Sequence, residues 1–168
     1  MNRPFHGFLI FAGKSLNMDR IAVFPGSFDP VTKGHESVIR RSLNLFDKLI
    51  IALGENSMKT SLFTLEQRLA WLHQLFGNDE RIFITHYNGL TVDFCREHGA
   101  QFILRGLRTS ADFEFERAIA QLNKSQAGVE SVFVISTPEN APVSSTILRD
   151  IIKNGGSVTN FVPAKVTV

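Results

Sequence analysis

Residues 21–39 read IAVFPGSFDPVTKGHESVI, and this stretch decides the fold. Its first four residues form a short, continuous apolar run of the kind that a parallel strand buried on both faces carries. A loop rich in glycine, proline and serine follows, and Gly34-His35 opens a helical pattern. Strand, glycine-containing loop and helix in this order predict an anion site at the carboxyl end of the strand, because the backbone N–H groups at the start of a helix bind phosphate.

The same alternation of strands and helices continues along the chain. Short apolar runs predict further strands, and apolar residues at helical spacing predict the helices between them. Such an order predicts an α/β fold, a single-domain doubly wound five-stranded parallel sheet of Rossmann-like type. The predicted strands are 21–24, 49–53, 82–84, 102–104 and 132–135. The predicted helices are one marked by Ile39, Leu43 and Phe46, one over 65–76 opened by a Thr64–Gln67 capping box, two over 91–98 and 110–126, and one capped by Ser144 and ended by Asn154-Gly155.

The helix predicted over 110–126 carries both apolar and charged residues. We expect its apolar members to face the core. For Glu116 three interpretations remain open: a site residue, a surface carboxylate paired with Arg117 or Lys124, or part of a polar face with Asp112 and Asn123 at helical spacing. The apolar residues expected to point inward are Phe115, Ala118, Ile119 and Leu122.

Composition excludes several classes of protein. The chain has 168 residues, of which 43% are apolar and 20% charged, so it is neither disordered nor collagen-like. A formal charge of +2 is too small for nucleic-acid or membrane binding by charge alone. Cys95 is the only cysteine, which excludes an intramolecular disulfide and favours a reducing, cytoplasmic location.

Residues 1–18 differ in pattern from the rest of the chain, and we expect them to be an N-terminal extension outside a domain formed by 19–168.

Polar side chains follow the predicted strands. Because ligands of open α/β sheets bind at the carboxyl ends of the strands, we expect these loops to form one site. Glycines there allow close backbone approach, and we expect His35, Lys59, Arg105 and Arg108 to supply cationic groups. The pattern predicts a site for an anion with several charges, most plausibly phosphates. The loops are 25–35, 54–59, 87–91, 105–109 and 136–145.

Residues 24–35 resemble the (T/H)xGH nucleotidyltransferase superfamily, with Thr32 and Gly34-His35 in the motif positions. Two further segments narrow the resemblance to the bacterial phosphopantetheine adenylyltransferases. They are 105–108, followed by 112–116, and 143–146 with Arg149. The family implies that the adenylyl group of ATP is transferred to 4′-phosphopantetheine, which gives dephospho-coenzyme A and pyrophosphate. It also implies a homohexamer, with magnesium bound mainly through the ATP phosphates.

The resemblance also implies roles for individual residues. His35, Ser27, Lys59 and Arg108 would be catalytic. Phosphopantetheine would contact Ser27, Lys59, Thr91 and Arg105. ATP would contact Ser27, Phe28, His35, Gly106, Leu107, Arg108, Glu116, Asn140, Ala141, Pro142, Val143, Ser144, Ser145 and Thr146. Two alternatives stay open at this point, another adenylyl- or cytidylyltransferase of the superfamily and a nucleotide-binding regulator without turnover.

Overall fold

The computed structural model describes residues 19–55 and 60–168, which form five strands and five helices. The strands are β1 (Ile21–Gly26), β2 (Lys48–Glu55), β3 (Ile82–Asn88), β4 (Phe102–Leu107) and β5 (Glu130–Ile135). The helices are α1 (Lys33–Ser42), α2 (Leu65–Phe76), α3 (Thr91–Glu97), α4 (Ser110–Ala127) and α5 (Ser145–Lys153).

The strands form one parallel sheet in the order β3-β2-β1-β4-β5. The chain therefore builds outward from β1 to β3, then crosses back and builds outward from β4 to β5. This arrangement confirms the predicted doubly wound α/β fold. The direction of winding changes between β1 and β4, and a crevice opens beyond the carboxyl ends of these two neighbouring strands.

Two apolar clusters lie on opposite faces of the sheet. Alternate residues of β1 show the division, since Phe24 belongs to one cluster and Val23 to the other. The first cluster includes side chains of α1, α2 and α5, and the second includes side chains of α3. Because Ile103 lies in the second cluster, the side chain of Arg105, two residues later on β4, points to the same face.

Several strands are longer than their apolar runs. The run predicted as 102–104 continues to Leu107, because Arg105 pairs with Phe133 and Gly106 with Val134. Backbone pairing does not require an apolar side chain, so a charged residue ends the pattern without ending the strand. The consequence is functional, since Arg105 and Gly106 lie on the rigid sheet rather than in a loop.

The predicted helices are all present, with one local difference in α1. This helix ends at Ser42, and Leu43 caps it. Phe46 lies beyond the helix and is nevertheless buried, so its apolar character reflects core packing and not helical periodicity. The Thr64–Gln67 capping box of α2 is confirmed, with both hydrogen bonds present.

The expected inward face of α4 is wrong. Phe115 is 69% exposed, Leu122 is 60% exposed and Ala118 is also exposed, whereas Ile119 is partly buried. The residue of α4 that is buried is Glu116. Its carboxylate pairs with Arg105 of β4, and this ion pair occupies the inward face that apolar residues would otherwise take.

The prediction that 1–18 form an extension concerns residues that lie outside the described part of the chain, and the boundary at residue 19 remains a prediction. No helix formed by residues 19–55 and 60–168 is long and apolar enough to cross a membrane.

Candidate functional site

A cavity of about 430 Å³ opens beyond the carboxyl ends of β1 and β4. It lies at the point where the strand order reverses, as expected for a doubly wound sheet. The loop after β1, the end of β4, the amino ends of α1 and α5 and one side of α4 all contribute to its wall. The cavity is lined by Phe24, Pro25, Gly26, Ser27, Phe28, Thr32, Gly34, His35, Val38, Arg105, Gly106, Arg108, Asp112, Glu116, Ser136, Asn140, Val143, Ser144, Ser145, Thr146 and Arg149.

The loop after β1 is tightly packed against its own phenylalanine. Phe28 is fully buried with a φ of 48°, in the left-handed region that non-glycine residues rarely adopt. A Cβ atom at Gly26 would lie 3.0 Å from the Phe28 ring, so a side chain there would displace it. The loop therefore presents backbone, and not side chain, to the cavity at Gly26.

His35 is held by a capping box at the start of α1. The backbone N–H of His35 donates to Thr32 Oγ1 at 3.2 Å, and the backbone N–H of Thr32 donates to His35 Nδ1 at 3.1 Å. Because Nδ1 accepts this hydrogen bond, the proton of the neutral imidazole is on Nε2. The ring also packs against Phe28, with 5.1 Å between centroids. The fold therefore fixes both the orientation and the tautomer, and leaves Nε2–H as the donor available to a ligand.

The environment of His35 keeps the ring uncharged, so the prediction that this residue supplies a cationic group is wrong. Burial, reinforced by the positive charges of Arg108 and Arg105, lowers the pKa of His35 from 6.5 to about 4. At neutral pH the imidazole is then a neutral hydrogen-bond donor. A neutral imidazole can stabilise developing negative charge by donating a hydrogen bond, without transferring its proton to the substrate.

Arg105, which is partly exposed, and Glu116, which is buried, form a bidentate ion pair. Arg105 Nε donates to Glu116 Oε2 at 2.8 Å, and a second nitrogen donates to Oε1. A third hydrogen bond, 3.2 Å long, joins the guanidinium to the carbonyl of Pro25. The two partners that the sequence left open for Glu116 are engaged elsewhere, since Arg117 pairs with Glu114, and Lys124 with a residue of β5. Glu116 therefore fixes Arg105 across the cavity floor.

Arg108 forms a similar pair with Asp112, in the first turn of α4. Arg108 Nε and Nη2 each donate at 3.1 Å to a carboxylate oxygen of Asp112, and the Arg108 backbone N–H donates to the same group. The pKa of Asp112 lies below its ordinary value. Burial is the largest single effect and raises this pKa, but the hydrogen bonds and the positive charge of Arg108 together lower it by more. Both arginines of the β4 end are thus aligned by carboxylates of α4.

The third wall is the segment that leads into α5. Ser144 caps the helix, with its hydroxyl accepting from the Ile147 N–H at 3.2 Å. Ser145 Oγ donates to the carbonyl of Pro30 at 2.9 Å, which fastens the helix to the loop after β1. Asn140, buried, donates from its amide to Thr137 Oγ1 at 2.9 Å. Ser144, Ser145 and Thr146 all line the cavity, so the amino end of α5 lies at its wall.

The cavity brings together most of the residues predicted to form the site. The side chains of Leu107 and Thr91 do not line it, since Leu107 is buried and Thr91 is hydrogen-bonded to Tyr87 at 2.7 Å. Ala141 and Pro142 also lie outside its lining. Lys59 lies outside the described residues. The predicted residues in the lining are Ser27, Phe28, His35, Arg105, Gly106, Arg108, Glu116, Asn140, Val143, Ser144, Ser145 and Thr146.

Two residues that support the loop after β1 were missed by the sequence analysis. Arg68 of α2 is only 6% exposed and donates to the carbonyl of Ser27 at 2.8 Å. Asp29, also buried, accepts from the backbone N–H groups of Leu62 and Phe63, both at 2.9 Å. A signal for Arg68 was present, because it occupies a position of the apolar stripe of α2 where a charged side chain needs a buried partner.

The fold is shared with solved structures of low sequence identity. A bifunctional NMN adenylyltransferase/ADP ribose pyrophosphatase from Francisella tularensis superposes with a TM-score of 0.66 and 20% identity, over 86% of this chain and 45% of that larger chain. A lipopolysaccharide core biosynthesis protein from Thermoplasma volcanium superposes with a TM-score of 0.54 and 22% identity, over 71% and 98% of the two chains. At such identities the likeness shows the fold alone.

Sequence comparison is more specific. Residues 23–151 match the model of the cytidylyltransferase-like family. The phosphopantetheine adenylyltransferase of Flavobacterium psychrophilum is 46% identical over 149 residues, which is 89% of this chain and 99% of that protein. The phosphopantetheine adenylyltransferase of Christiangramia forsetii is 48% identical over 142 residues, 84% of this chain and 94% of that protein. The cavity at the strand reversal and this similarity agree, and the chain belongs to the phosphopantetheine adenylyltransferases within the cytidylyltransferase-like family.

Proposed function

We propose that this chain transfers the adenylyl group of ATP to 4′-phosphopantetheine, forming dephospho-coenzyme A and releasing pyrophosphate. One observation carries the proposal. The cavity at the carboxyl ends of β1 and β4 holds a neutral imidazole with a fixed Nε2–H donor, and three arginines line the same cavity. This is a site for phosphate groups that react with each other, in a chain whose relatives are named for this transfer.

The proposed reaction needs positioning more than acid–base chemistry. The phosphate of phosphopantetheine has a second pKa near ~6, so it is already largely dianionic at neutral pH and needs no general base. An oxygen of this phosphate attacks the α-phosphorus of ATP in line, one P–O bond forms, and the bond to the departing pyrophosphate breaks. The electron pair of the broken bond leaves with pyrophosphate, and the attacking phosphate becomes part of the new diphosphate.

His35 and Ser27 are assigned to the α-phosphate. Negative charge builds on its non-bridging oxygens in the transition state, and Nε2–H of His35 is the donor that the Thr32 contact leaves available. Ser27 offers a hydroxyl and a backbone N–H. Its own backbone carbonyl accepts a hydrogen bond from Arg68, which anchors the loop. Donors that are fixed before substrate arrives need no reorganisation during the reaction, which is the source of their catalytic effect.

The positively charged residues divide between the two substrates. Lys59 and Arg105 are assigned to the attacking phosphate of phosphopantetheine. Arg108 and the amino end of α5 are assigned to the departing pyrophosphate. Arg105 and Arg108 are held by Glu116 and Asp112, so each guanidinium is pre-oriented while its outer N–H groups remain available to a phosphate.

Magnesium fits this site as a counterion bound to the phosphates of ATP. Among residues 19–55 and 60–168 no group of three or more His, Cys, Asp or Glu side chains is arranged to hold a metal ion. The carboxylates in the cavity lining, Asp112 and Glu116, are both engaged with arginines. We therefore propose that Mg²⁺ is coordinated by ATP oxygens and water, where it neutralises polyphosphate charge.

We further propose that the chain forms a homohexamer in the cytoplasm and binds neither nucleic acid nor membranes. Phe115, Leu122 and Ile135 are each at least 60% exposed, and large apolar side chains in contact with water favour burial at an interface. Cys95 is buried, and burial raises the pKa of its thiol to about 11, so the thiolate that disulfide chemistry requires is disfavoured, in keeping with a reducing compartment. Light scattering on the wild type and on Phe115→Glu tests the assembly.

The test of the proposed function measures pyrophosphate released from ATP. Release should require both ATP and phosphopantetheine, and the His35→Gln variant should lose most of it. A thermal-shift panel with ATP, phosphopantetheine, nicotinate mononucleotide and CTP identifies the substrates independently of turnover. Release with nicotinate mononucleotide or CTP, and not with phosphopantetheine, would assign another transferase activity. Binding of ATP without any turnover would identify a regulator instead.

A further inference from the structure

Arg68 is a buried cation that lies near the start of α2 and outside the cavity lining. The residue is only 6% exposed. Among residues 19–55 and 60–168 it forms no ion pair with a carboxylate, and its hydrogen-bond acceptors are backbone carbonyl groups. A buried charge without a carboxylate partner costs free energy, and a well-packed apolar side chain would fill the same space at lower cost. The hydrogen bonds of Arg68 are therefore the feature that needs an explanation.

The guanidinium group joins two segments of the chain. Nε donates to the carbonyls of Phe63 and Thr64, at 3.1 and 3.2 Å, and both belong to the entry of α2. Nη1 donates to the carbonyl of Ser27 at 2.8 Å, which is the shortest of the three bonds and links residues 41 positions apart. Because Nε and Nη1 belong to one rigid plane, the Ser27 carbonyl is fixed relative to the start of α2.

A second tie joins the same two segments. Asp29 is 3% exposed, and its carboxylate accepts from the backbone N–H groups of Leu62 and Phe63. Phe63 is therefore held by both of its backbone groups, the N–H by Asp29 and the carbonyl by Arg68. Arg68 thus connects the loop after β1 to a segment that is itself fastened to that loop.

The carbonyl that Arg68 holds belongs to the peptide group between Ser27 and Phe28. This peptide is trans, so its N–H, which is that of Phe28, points opposite to the carbonyl and away from Arg68. Ser27 and Phe28 both line the cavity. The Phe28 N–H donates to no oxygen of residues 19–55 and 60–168. Arg68 therefore orients a backbone donor that the described part of the chain leaves for a ligand.

The conformation of Phe28 requires such support. Its φ of 48° is strained for a phenylalanine, and strained residues persist only where their surroundings fix them. The ring is held by Phe24 and His35, with 5.7 and 5.1 Å between ring centroids. These contacts fix the side chain, whereas Arg68 fixes the peptide that precedes it. Without Arg68 this peptide would be free to rotate, and its N–H would lose a fixed direction.

We propose that Arg68 is a positioning residue for the adenylyl transfer, which holds the Ser27–Phe28 peptide so that the Phe28 N–H donates to a non-bridging oxygen of the α-phosphate. The inference rests on the proposed function and adds to it a residue that contacts no substrate. A donor whose direction is set before ATP binds stabilises the charge that builds on this phosphate without reorganisation. Arg68 acts only through this peptide.

The experiment measures turnover with ATP and with the two diastereomers of ATPαS, in which sulfur replaces one or the other non-bridging α-oxygen. Sulfur is the weaker hydrogen-bond acceptor, so a fixed N–H makes the two diastereomers react at different rates. The proteins are the wild type, Arg68→Met, Arg68→Lys and Arg96→Met. Arg96 is the matched control, because it donates to the backbone carbonyl of Gln126 at 2.8 Å and both residues lie outside the cavity lining. Thermal melts show whether each variant is folded.

In Arg68→Met, kcat with ATP should fall by roughly 10- to 100-fold while the KM for ATP changes less than about threefold, because a donor to the transition state is displaced. The ratio of turnover between the two diastereomers should change by at least about threefold. Arg96→Met should match the wild type in both measurements. A merely structural Arg68 would lower the melting temperature and leave kcat and the diastereomer ratio of the folded protein unchanged, and this result would overturn the inference.

Arg68→Lys keeps the charge and most of the side-chain volume, so it tests the inference even where Arg68→Met does not fold. One ammonium group cannot reproduce the fixed fork of Nε and Nη1, so kcat and the diastereomer ratio should depart from the wild type in the same direction as in Arg68→Met, by less. Wild-type values of both in this variant would overturn the inference. Failure of the proposed function has a different appearance, because the wild type itself would then release no pyrophosphate with phosphopantetheine.

Discussion

The capping box of α1 allows the two roles of His35 to be separated by one substitution, His35→Gln. In α2 the same motif is built with glutamine, where Gln67 Oε1 accepts from the Thr64 N–H at 2.9 Å. In α1 the Nδ1 atom of His35 accepts from the Thr32 N–H at 3.1 Å. Glutamine at position 35 should therefore preserve the cap, while it replaces the titratable ring and its rigid Nε2–H donor with a flexible, non-titrating amide.

The magnitude follows from the pKa of the ring. Burial and the nearby arginines lower the pKa of His35 from 6.5 to about 4 in the folded state. The unfolded chain therefore binds a proton more readily than the folded protein does, and the free energy of unfolding falls as pH drops from 6.5 towards 4. Between pH 7 and pH 5 the linkage relation gives a loss of about 2 kcal/mol from this one group. His35→Gln should lack this loss.

The assay is urea unfolding of both proteins at pH 7, 6 and 5, at one protein concentration. Every other residue is the same in both proteins, so the difference between the two pH profiles isolates His35. At pH 7 the variant should be as stable as the wild type within about 1 kcal/mol, and its turnover should be lower by ~10²-fold or more. Parallel pH profiles would refute the lowered pKa of the imidazole, and near-normal turnover would show that the reaction does not need a rigid imidazole donor.

Three further outcomes are expected. Lys59→Ala should weaken phosphopantetheine use by roughly 10- to 150-fold with little change in ATP affinity, whereas Arg108→Ala should weaken ATP binding directly. Calorimetric titration of each substrate into each variant measures both effects. Equal losses of ATP affinity in the two variants would mean that the two cations act through a shared electrostatic field and not in two separate subsites. A chain begun at Met18 should fold and turn over like the full chain, and an insoluble product would show that the preceding residues contribute. Glu116→Gln should lower the free energy of unfolding by about 1 to 3 kcal/mol, measured in urea against the exposed control Glu114→Gln, which should change it by less than about 0.5 kcal/mol.

Elements with a continuous apolar run were predictable, because burial between two layers of helices leaves little choice of residue. The parallel sheet and the alternation of strands and helices follow from this pattern. The end of the sheet at which the cavity opens, the carboxyl ends of the strands, follows from it as well. The ends of the strands were not predictable from it. Arg105 shows the reason, since its backbone continues the ladder of β4 although its side chain breaks the apolar run.

The inward face of α4 shows a different limit. Periodicity places Phe115 and Leu122 on an apolar face, and a single chain offers no other partner for them than its own core. The structure instead turns Glu116 inward, because Arg105 on the neighbouring strand needs a carboxylate. A long-range ion pair of this kind has no signature in local sequence spacing. One such pair is enough to place a charged residue on the inward face of a helix and apolar residues on its exposed face.

The pairing of charges also explains how a site for polyanions occurs in a chain with a net charge of only +2. The cavity lining holds three arginines and two carboxylates, and the carboxylate of Asp29 stands 3.8 Å from Arg149. Without a ligand these six charges balance, so the guanidinium groups are oriented with little mutual repulsion. A bound triphosphate then needs further positive charge, and under the proposed function the Mg²⁺ that accompanies ATP would supply it. The empty site is thus close to neutral, and the additional positive charge arrives together with the ligand that needs it.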